Sequence, residues 1–226
     1  MSAENGKVLY SENFASGPGA WTCGKDREDG SWHRNLYGHP GEPVPLQWFA
    51  AGGRHGGFAR SESPWYFDDN HGEFAWLHLA FFVNRSELIG LGGADLRDAV
   101  IDFGIRGHDL VLNGTRLFFW IQGGAATYNW ALASQPIAEA LADGEWHDER
   151  VVLYNNESKW ATMGLLNGGL SRKIRILHSL TVAEGSLDDI LGGSHVNFGF
   201  LLCGLDPNNL PAGAIDVDCV RITASD

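Results

Sequence analysis

Cysteine is scarce in this chain of 226 residues: Cys23, Cys203 and Cys219 are the whole complement, and no two of them are spaced as C-x-x-C. An odd count without that spacing argues against a disulfide framework and against a zinc site built on thiolates. One bridge stays open, between Cys203 and Cys219 on two predicted strands. Positive charge is scarce as well. The 16 Lys and Arg stand against 28 Asp and Glu, for a formal net charge of -12. A surface of that sign repels phosphate backbones and anionic headgroups, so neither nucleic acid nor a membrane surface is an expected partner. Nothing approaches a run of apolar residues long enough to span a membrane as a helix. The opening M-S-A-E-N-G-K-V-L-Y carries neither a charged leader nor an apolar h-region. The expected location is therefore cytoplasmic, or secreted if a leader has been removed. Catalytic signatures are missing too: there is no G-x-S-x-G and no H-E-x-x-H, and no Lys-Ser/Thr follows the glycine loop G-G-R-H-G-G at Gly52–Gly57.

Glycine and tryptophan are plentiful, at 30 and 9 residues. Glycine at that density between aromatic and β-branched residues suits an all-β chain with many tight turns and bulges. Strands are predicted at Lys7–Phe14, Leu46–Ala50, Gly57–Arg60, Phe74–Val83, Ala99–Arg106, Arg116–Gln122, Asn129–Ala133, Glu149–Tyr154, Arg172–Ile176, Val196–Cys203 and Ala214–Thr223. Short helical connectors are predicted at Pro136–Ala142 and at Ser186–Leu191, whose S-L-D-D opening reads as a capped turn. No repeat and no linker divides the chain, so residues 1–226 are read as one domain, an antiparallel β-sandwich.

Alternation sorts each strand into two faces. Leu117, Phe119 and Ile121 oppose Arg116, Phe118, Trp120 and Gln122; Val196, Phe198, Phe200 and Leu202 oppose His195, Asn197 and Gly199. Likewise Leu77, Leu79, Phe81 and Val83 oppose Trp76, His78 and Phe82. The second faces mix aromatics with hydrogen-bonding groups, the set that lines a groove for a polar, ring-shaped ligand. The expected ligand residues are Trp76, Trp120, Gln122, Arg116 and Asn197, with Arg54 on the glycine loop able to grip an anionic group. The structural alternative is a second hydrophobic layer. For acid–base chemistry the candidates are His78 and His55, with Asp102 as a carboxylate partner.

The segment G-A-I-D-V-D-C-V-R-I, Gly213 to Ile222, poses a puzzle. Strict alternation puts Ile215, Val217 and Cys219 on one side, and Asp216, Asp218, Val220 and Ile222 on the other. A strand apolar on both sides with two carboxylates in its middle needs partners for them: a metal ion, arginine or backbone N–H.

Read together, the opening L-Y-S-E-N-F-A-S-G-P-G-A-W and the closing G-A-I-D-V-D-C-V-R-I resemble the β-jelly-roll modules of the galactose-binding-like class. Many carbohydrate-binding modules belong to that class, and laminin-B-type domains are near cousins. The resemblance implies that the first and last strands are neighbours. It also implies a structural calcium between them, held by Glu12 and Asp218 with Asp216 as an addition, and otherwise by carbonyls and water. The function it implies is recognition of a carbohydrate or similar polyhydroxylated ligand, a small molecule or a glycan. The alternative is an enzyme on the same scaffold, a lyase, hydrolase or cyclase. The oligomeric state is left open.

Overall fold

In chain order the strands are β1 (Val8–Glu12), β2 (Trp21–Cys23), β3 (Val44–Pro45), β4 (Gln47–Phe49), β5 (Phe58–Glu62), β6 (His78–Val83), β7 (Val100–Val111), β8 (Arg116–Gly123), β9 (Tyr128–Ala131), β10 (His147–Val152), β11 (Ala161–Thr162), β12 (His195–Cys203) and β13 (Ala212–Thr223). They come from a computed structural model that describes residues 6–23, 44–63, 78–83, 85–123, 128–137, 141, 143–162, 186–203, 209 and 211–225. The expected strand Arg172–Ile176, most of the expected helix Pro136–Ala142, and Trp76 lie outside the described residues, as do the side chains of His78, Leu79 and Cys203.

Two antiparallel sheets face each other. Sheet A runs β10-β7-β13-β5-β4, with β1 also paired to β13; sheet B runs β11-β9-β8-β12-β6-β2-β3. This is the expected all-β sandwich, and its first and last strands are neighbours. Alternation explains why the sheets close on each other. Leu117, Phe119 and Ile121 of β8, Phe198, Phe200 and Leu202 of β12, and Ile101, Phe103 and Ile105 of β7 all lie in the shared core. Val196 departs from its predicted face and is 40% exposed. The register of β12 against β8 shifts between His195 and Asn197, which turns the intervening residue outward. The expected capped turn forms too: Ser186 Oγ accepts from Asp189 N at 3.0 Å ahead of the short helix Leu187–Asp189. Among the described residues no helix is long and apolar enough to cross a membrane.

β13 resolves the puzzle of its two-sided apolarity. Against β7, Asp218 pairs with Gly104 while Arg221 pairs with Asp102, so β13 holds one extra residue over that stretch. That is a β-bulge. Cys219 sits in it with φ 49, the left-handed region that side-chain-bearing residues seldom enter. A one-residue slip exchanges the faces of a strand. Ile215 and Val217 before the bulge and Val220 and Ile222 after it therefore all reach the core, whereas Asp216 and Asp218 point to the outer side of sheet A. The bulge also falls where the neighbour on the other edge of β13 changes, from β5 up to Val217 to β1 from Val220 onward.

Cys219 is a free thiol in sheet A, and Cys203 belongs to sheet B, so the bridge left open by the sequence does not form. Burial first, and the neighbouring Asp218 carboxylate second, push the Cys219 thiol up to about 12. The left-handed backbone sets the expected mutational response. Cys219→Val should lower stability in urea unfolding by about 1–3 kcal/mol, because a β-branched side chain is strained at positive φ. Cys219→Gly should stay within about 1 kcal/mol of the parent. Equal tolerance of both would contradict the bulge.

Candidate functional site

The outer face of sheet A gathers half of the residues singled out from the sequence. Asp216 is fully buried and held by two guanidinium groups. Arg60 donates from Nε to Oδ1 at 2.6 Å and from Nη2 to Oδ2 at 3.0 Å. Arg106 donates to Oδ2 from Nε at 3.0 Å and from Nη2 at 2.6 Å. The arginines are in turn shelved on aromatic rings: Arg60 Cζ lies 4.9 Å from the Phe49 centroid, and Arg106 Cζ lies 4.6 Å from that of Trp146. Asp216 accordingly leaves the metal set, since two cations occupy both of its oxygens.

Asp218, also fully buried, behaves differently. Its Oδ2 accepts from His55 N at 3.1 Å, while its Oδ1 has no hydrogen-bond partner. It lies at the notch where β1 ends and β5 begins. Glu12 stands across that notch, paired with Val220, and its Oε1 accepts from Phe14 N at 2.8 Å. The glycine loop folds over the notch: Arg54 bonds the Trp146 carbonyl at 3.0 Å and pairs with Asp148 at 2.8 Å, leaving His55 exposed. Glycine is required in this loop, because a Cβ on Gly53 would stand 2.6 Å from the Gly57 carbonyl and 2.8 Å from Asp218 Oδ2. Among the described residues no group of three or more His, Cys, Asp or Glu forms a ready metal cluster.

Asp102 projects from the same outer face and pairs with Arg150 at 2.6 Å. His78 belongs to a strand of sheet B. The sandwich, roughly 10 Å thick between sheets, separates the two strands, so the expected pairing of His78 with Asp102 is not brought together. His55, on the sheet A side, reaches Asp218 through its backbone rather than its ring.

The outer face of sheet B holds the other group. Trp120 and Gln122 are each 1% exposed, Phe82 and Phe118 are buried beside them, and Phe82 meets Trp120 edge-on at 6.4 Å. Asn197 donates from Nδ2 to Gln122 Oε1, and its Oδ1 accepts from Arg85 N at 2.9 Å. Arg116 is exposed, with its guanidinium 5.3 Å from the Phe118 centroid. The aromatic and amide groups are thus assembled as the alternation predicts, but in a layer closed to water rather than an open groove.

Two participants were not anticipated. Ser86 Oγ lies 3.0 Å from both His195 Nδ1 and the His195 carbonyl, while His195 Nε2 bonds the Ala94 carbonyl at 3.0 Å. With Nε2–H donating to the Ala94 carbonyl, neutral His195 presents Nδ1 as an acceptor, so the one hydroxyl proton of Ser86 is shared between that nitrogen and the His195 carbonyl. Arg85 precedes this clamp with φ 68 and an exposed side chain. Burial pushes the His195 imidazole below the usual histidine value, and the Ala94 carbonyl opposes the shift only in part.

Charge divides between the sheets. None of the seven strands of sheet B contains Asp or Glu, so every carboxylate borne by a described strand is in sheet A.

No protein-family model matches the chain, and no curated protein matches it. Among solved structures it is similar to the xylan-binding module CBM15, with 12% identity, 98% of each chain covered and a TM-score of 0.48. It is similar also to CtCBM11, with 12% identity, 100% of this chain and 99% of that one covered and a TM-score of 0.45. A third is the K1 adhesin domain of Lys-gingipain from Porphyromonas gingivalis, with 14% identity, 98% and 100% covered and a TM-score of 0.40. At these identities and scores the likenesses assign the chain neither a family nor a ligand.

Two outcomes are expected from this geometry. Asp216→Asn strands two guanidinium groups and should cost about 3 kcal/mol in urea unfolding. Asp102→Asn, at a surface pair, should cost under about 1 kcal/mol. Comparable losses would contradict the assignment of Asp216 as the anchor. Because the folded value of His195 is depressed, the unfolded chain binds a proton that the folded chain refuses as pH falls below about 6.5. Stability should therefore drop between pH 7 and 5, and His195→Gln should flatten that part of the slope. An unchanged slope in the variant would contradict a neutral buried His195.

Proposed function

We propose that the protein is a non-catalytic recognition domain that binds a carbohydrate or similar polyhydroxylated ligand on the outer face of sheet B. One observation carries the reading. A two-layer sandwich needs one apolar face per sheet, yet sheet B has a second buried face, which carries Phe82, Phe118 and Trp120 together with the bonded amides of Gln122 and Asn197. Tryptophan offers a flat surface to the C–H side of a sugar ring, and amides match ring hydroxyls in both donor and acceptor sense. Sheet A is the poorer candidate because its outward charges neutralise one another. The layer on sheet B is closed in the free protein. Binding must open it, and that free energy subtracts from the intrinsic affinity.

Glu12 and Asp218 fit a structural calcium only in part. The unpartnered Oδ1 of buried Asp218 is a free oxygen ligand, Glu12 stands across the same notch, and carbonyls or water would supply the remaining oxygens. Such an ion would tie β1 to β13 at the bulge and take no part in ligand recognition.

Titration calorimetry against soluble oligosaccharides tests the reading. The parent protein should bind at least one of them. Gln122→Leu, which keeps volume and removes the amide, should weaken binding about tenfold or more. Undiminished binding by that variant, or no saccharide bound at all, would overturn the assignment. For the ion, EDTA should lower the melting temperature and calcium should restore it, the ion adding about 2.7 kcal/mol of stability at a hundredfold excess over Kd. A melting temperature indifferent to both would remove calcium from the notch.

A further inference from the structure

Resting on the recognition reading above, the distribution of charge narrows the ligand class. We infer that the ligand of the sheet B face is an acidic oligosaccharide, bearing carboxylates such as those of uronic acids, with Arg116 and Arg85 as the residues that select it. Arg116 opens β8 and stands over Phe118. Arg85 stands at the opposite end of the same strand, because its backbone N–H is fixed to Asn197, whose amide reaches Gln122. The six residue steps from Arg116 to Gln122 span about 20 Å, so the aromatic and amide floor has an arginine near each end.

These two arginines differ from most of the others in the described residues. Arg54, Arg60, Arg97, Arg106 and Arg150 are each paired with a carboxylate. Arg85 and Arg116 have no ion pair among the described residues, and both are exposed. Nor do the described strands of the sheet supply an anion, since they contain no Asp or Glu. In a chain of net charge -12, the described strands of sheet B carry no carboxylate, and an arginine without an ion pair among the described residues stands near each end of their central floor. Exposed Glu87, two residues from Arg85, forms no ion pair with it among the described residues, and charges beyond about 8 Å are largely screened at physiological salt. Guanidinium groups suit carboxylates in particular, meeting them with two parallel N–H donors.

The left-handed backbone of Arg85 has the same sense. A conformation at φ 68 is strained for arginine. It is held in place by the Asn197 bond and, one residue on, by the Ser86–His195 clamp. Asn197, which accepts from the Arg85 N–H, thus ties Arg85 to the Gln122 amide of the floor.

Calorimetry with hexagalacturonate, its carboxyl-reduced counterpart and a single-stranded oligonucleotide of similar charge tests this with the full chain. The acidic sugar should bind about tenfold or more tightly than the reduced one, and its affinity should fall as salt rises from 50 to 500 mM. Arg85→Gln and Arg116→Gln should each lower its affinity about tenfold with an unchanged melting temperature. If the reduced sugar binds as tightly as the acid, the recognition reading stands and the acidic class is wrong. If neither of these sugars binds while another oligosaccharide does, the acidic class is wrong and the recognition reading stands; if no oligosaccharide binds, both fall. Acid binding indifferent to both arginine substitutions, or an oligonucleotide bound as tightly as the sugar, would also overturn the inference.

Discussion

The bulge at Cys219 is the constraint on which the rest of sheet A depends. Without the extra residue, β13 would carry aliphatic side chains on both faces, and either Ile215 and Val217 or Val220 and Ile222 would face water. With it, all four enter the core and the two aspartates leave it together. The cost is a non-glycine residue in the left-handed region. Burial of four aliphatic side chains, each worth about 1.5–3 kcal/mol, exceeds the roughly 1–3 kcal/mol of such strain. The same kink changes the neighbour of β13 from β5 to β1 and opens the notch beneath which Asp218 lies.

From that arrangement the two outer faces acquire different chemistry. On sheet A the outward charges are consumed internally: Asp216 orders two arginines, those arginines lie on Phe49 and Trp146, and Arg54 ties the glycine loop to Asp148. On sheet B the strands lack carboxylates, and the outward side chains form a buried layer of aromatics and amides. One sheet is organised around ion pairs that stabilise the fold, and the other leaves its hydrogen-bonding groups facing away from the shared core. Recognition is proposed for the second because its polar groups have no role in joining the sheets.

Strand identity was legible in the sequence wherever alternation ran for several residues. β7, β8, β12 and β13 lie within a few residues of their expected positions, with Leu117, Phe119 and Ile121 inward as read. β2 was not legible, because three residues, Trp21–Cys23, are too few to show a period. The bulge was not legible either. A one-residue insertion leaves no mark in composition, and cysteine is not a residue that announces positive φ. The partners of Asp216 lie 156 and 110 residues away in the chain, so arginine could be named as a residue type but not as Arg60 and Arg106. Ser86 and His195, 109 residues apart, form their clamp only once β6 and β12 pair. Trp120, Gln122 and Asn197 were correctly placed on one outward face, but that the layer is closed to water depends on packing that no strand period encodes.

The division between the two faces is tested most directly by ¹H–¹⁵N correlation spectra of the protein titrated with hexagalacturonate. The indole signal of Trp120 and the side-chain amides of Gln122 and Asn197 should shift with saturation, while the indoles of Trp48 and Trp146 on the sheet A side stay in place. Shifts confined to Trp48 and Trp146 would contradict that division and move the recognition site to the opposite sheet.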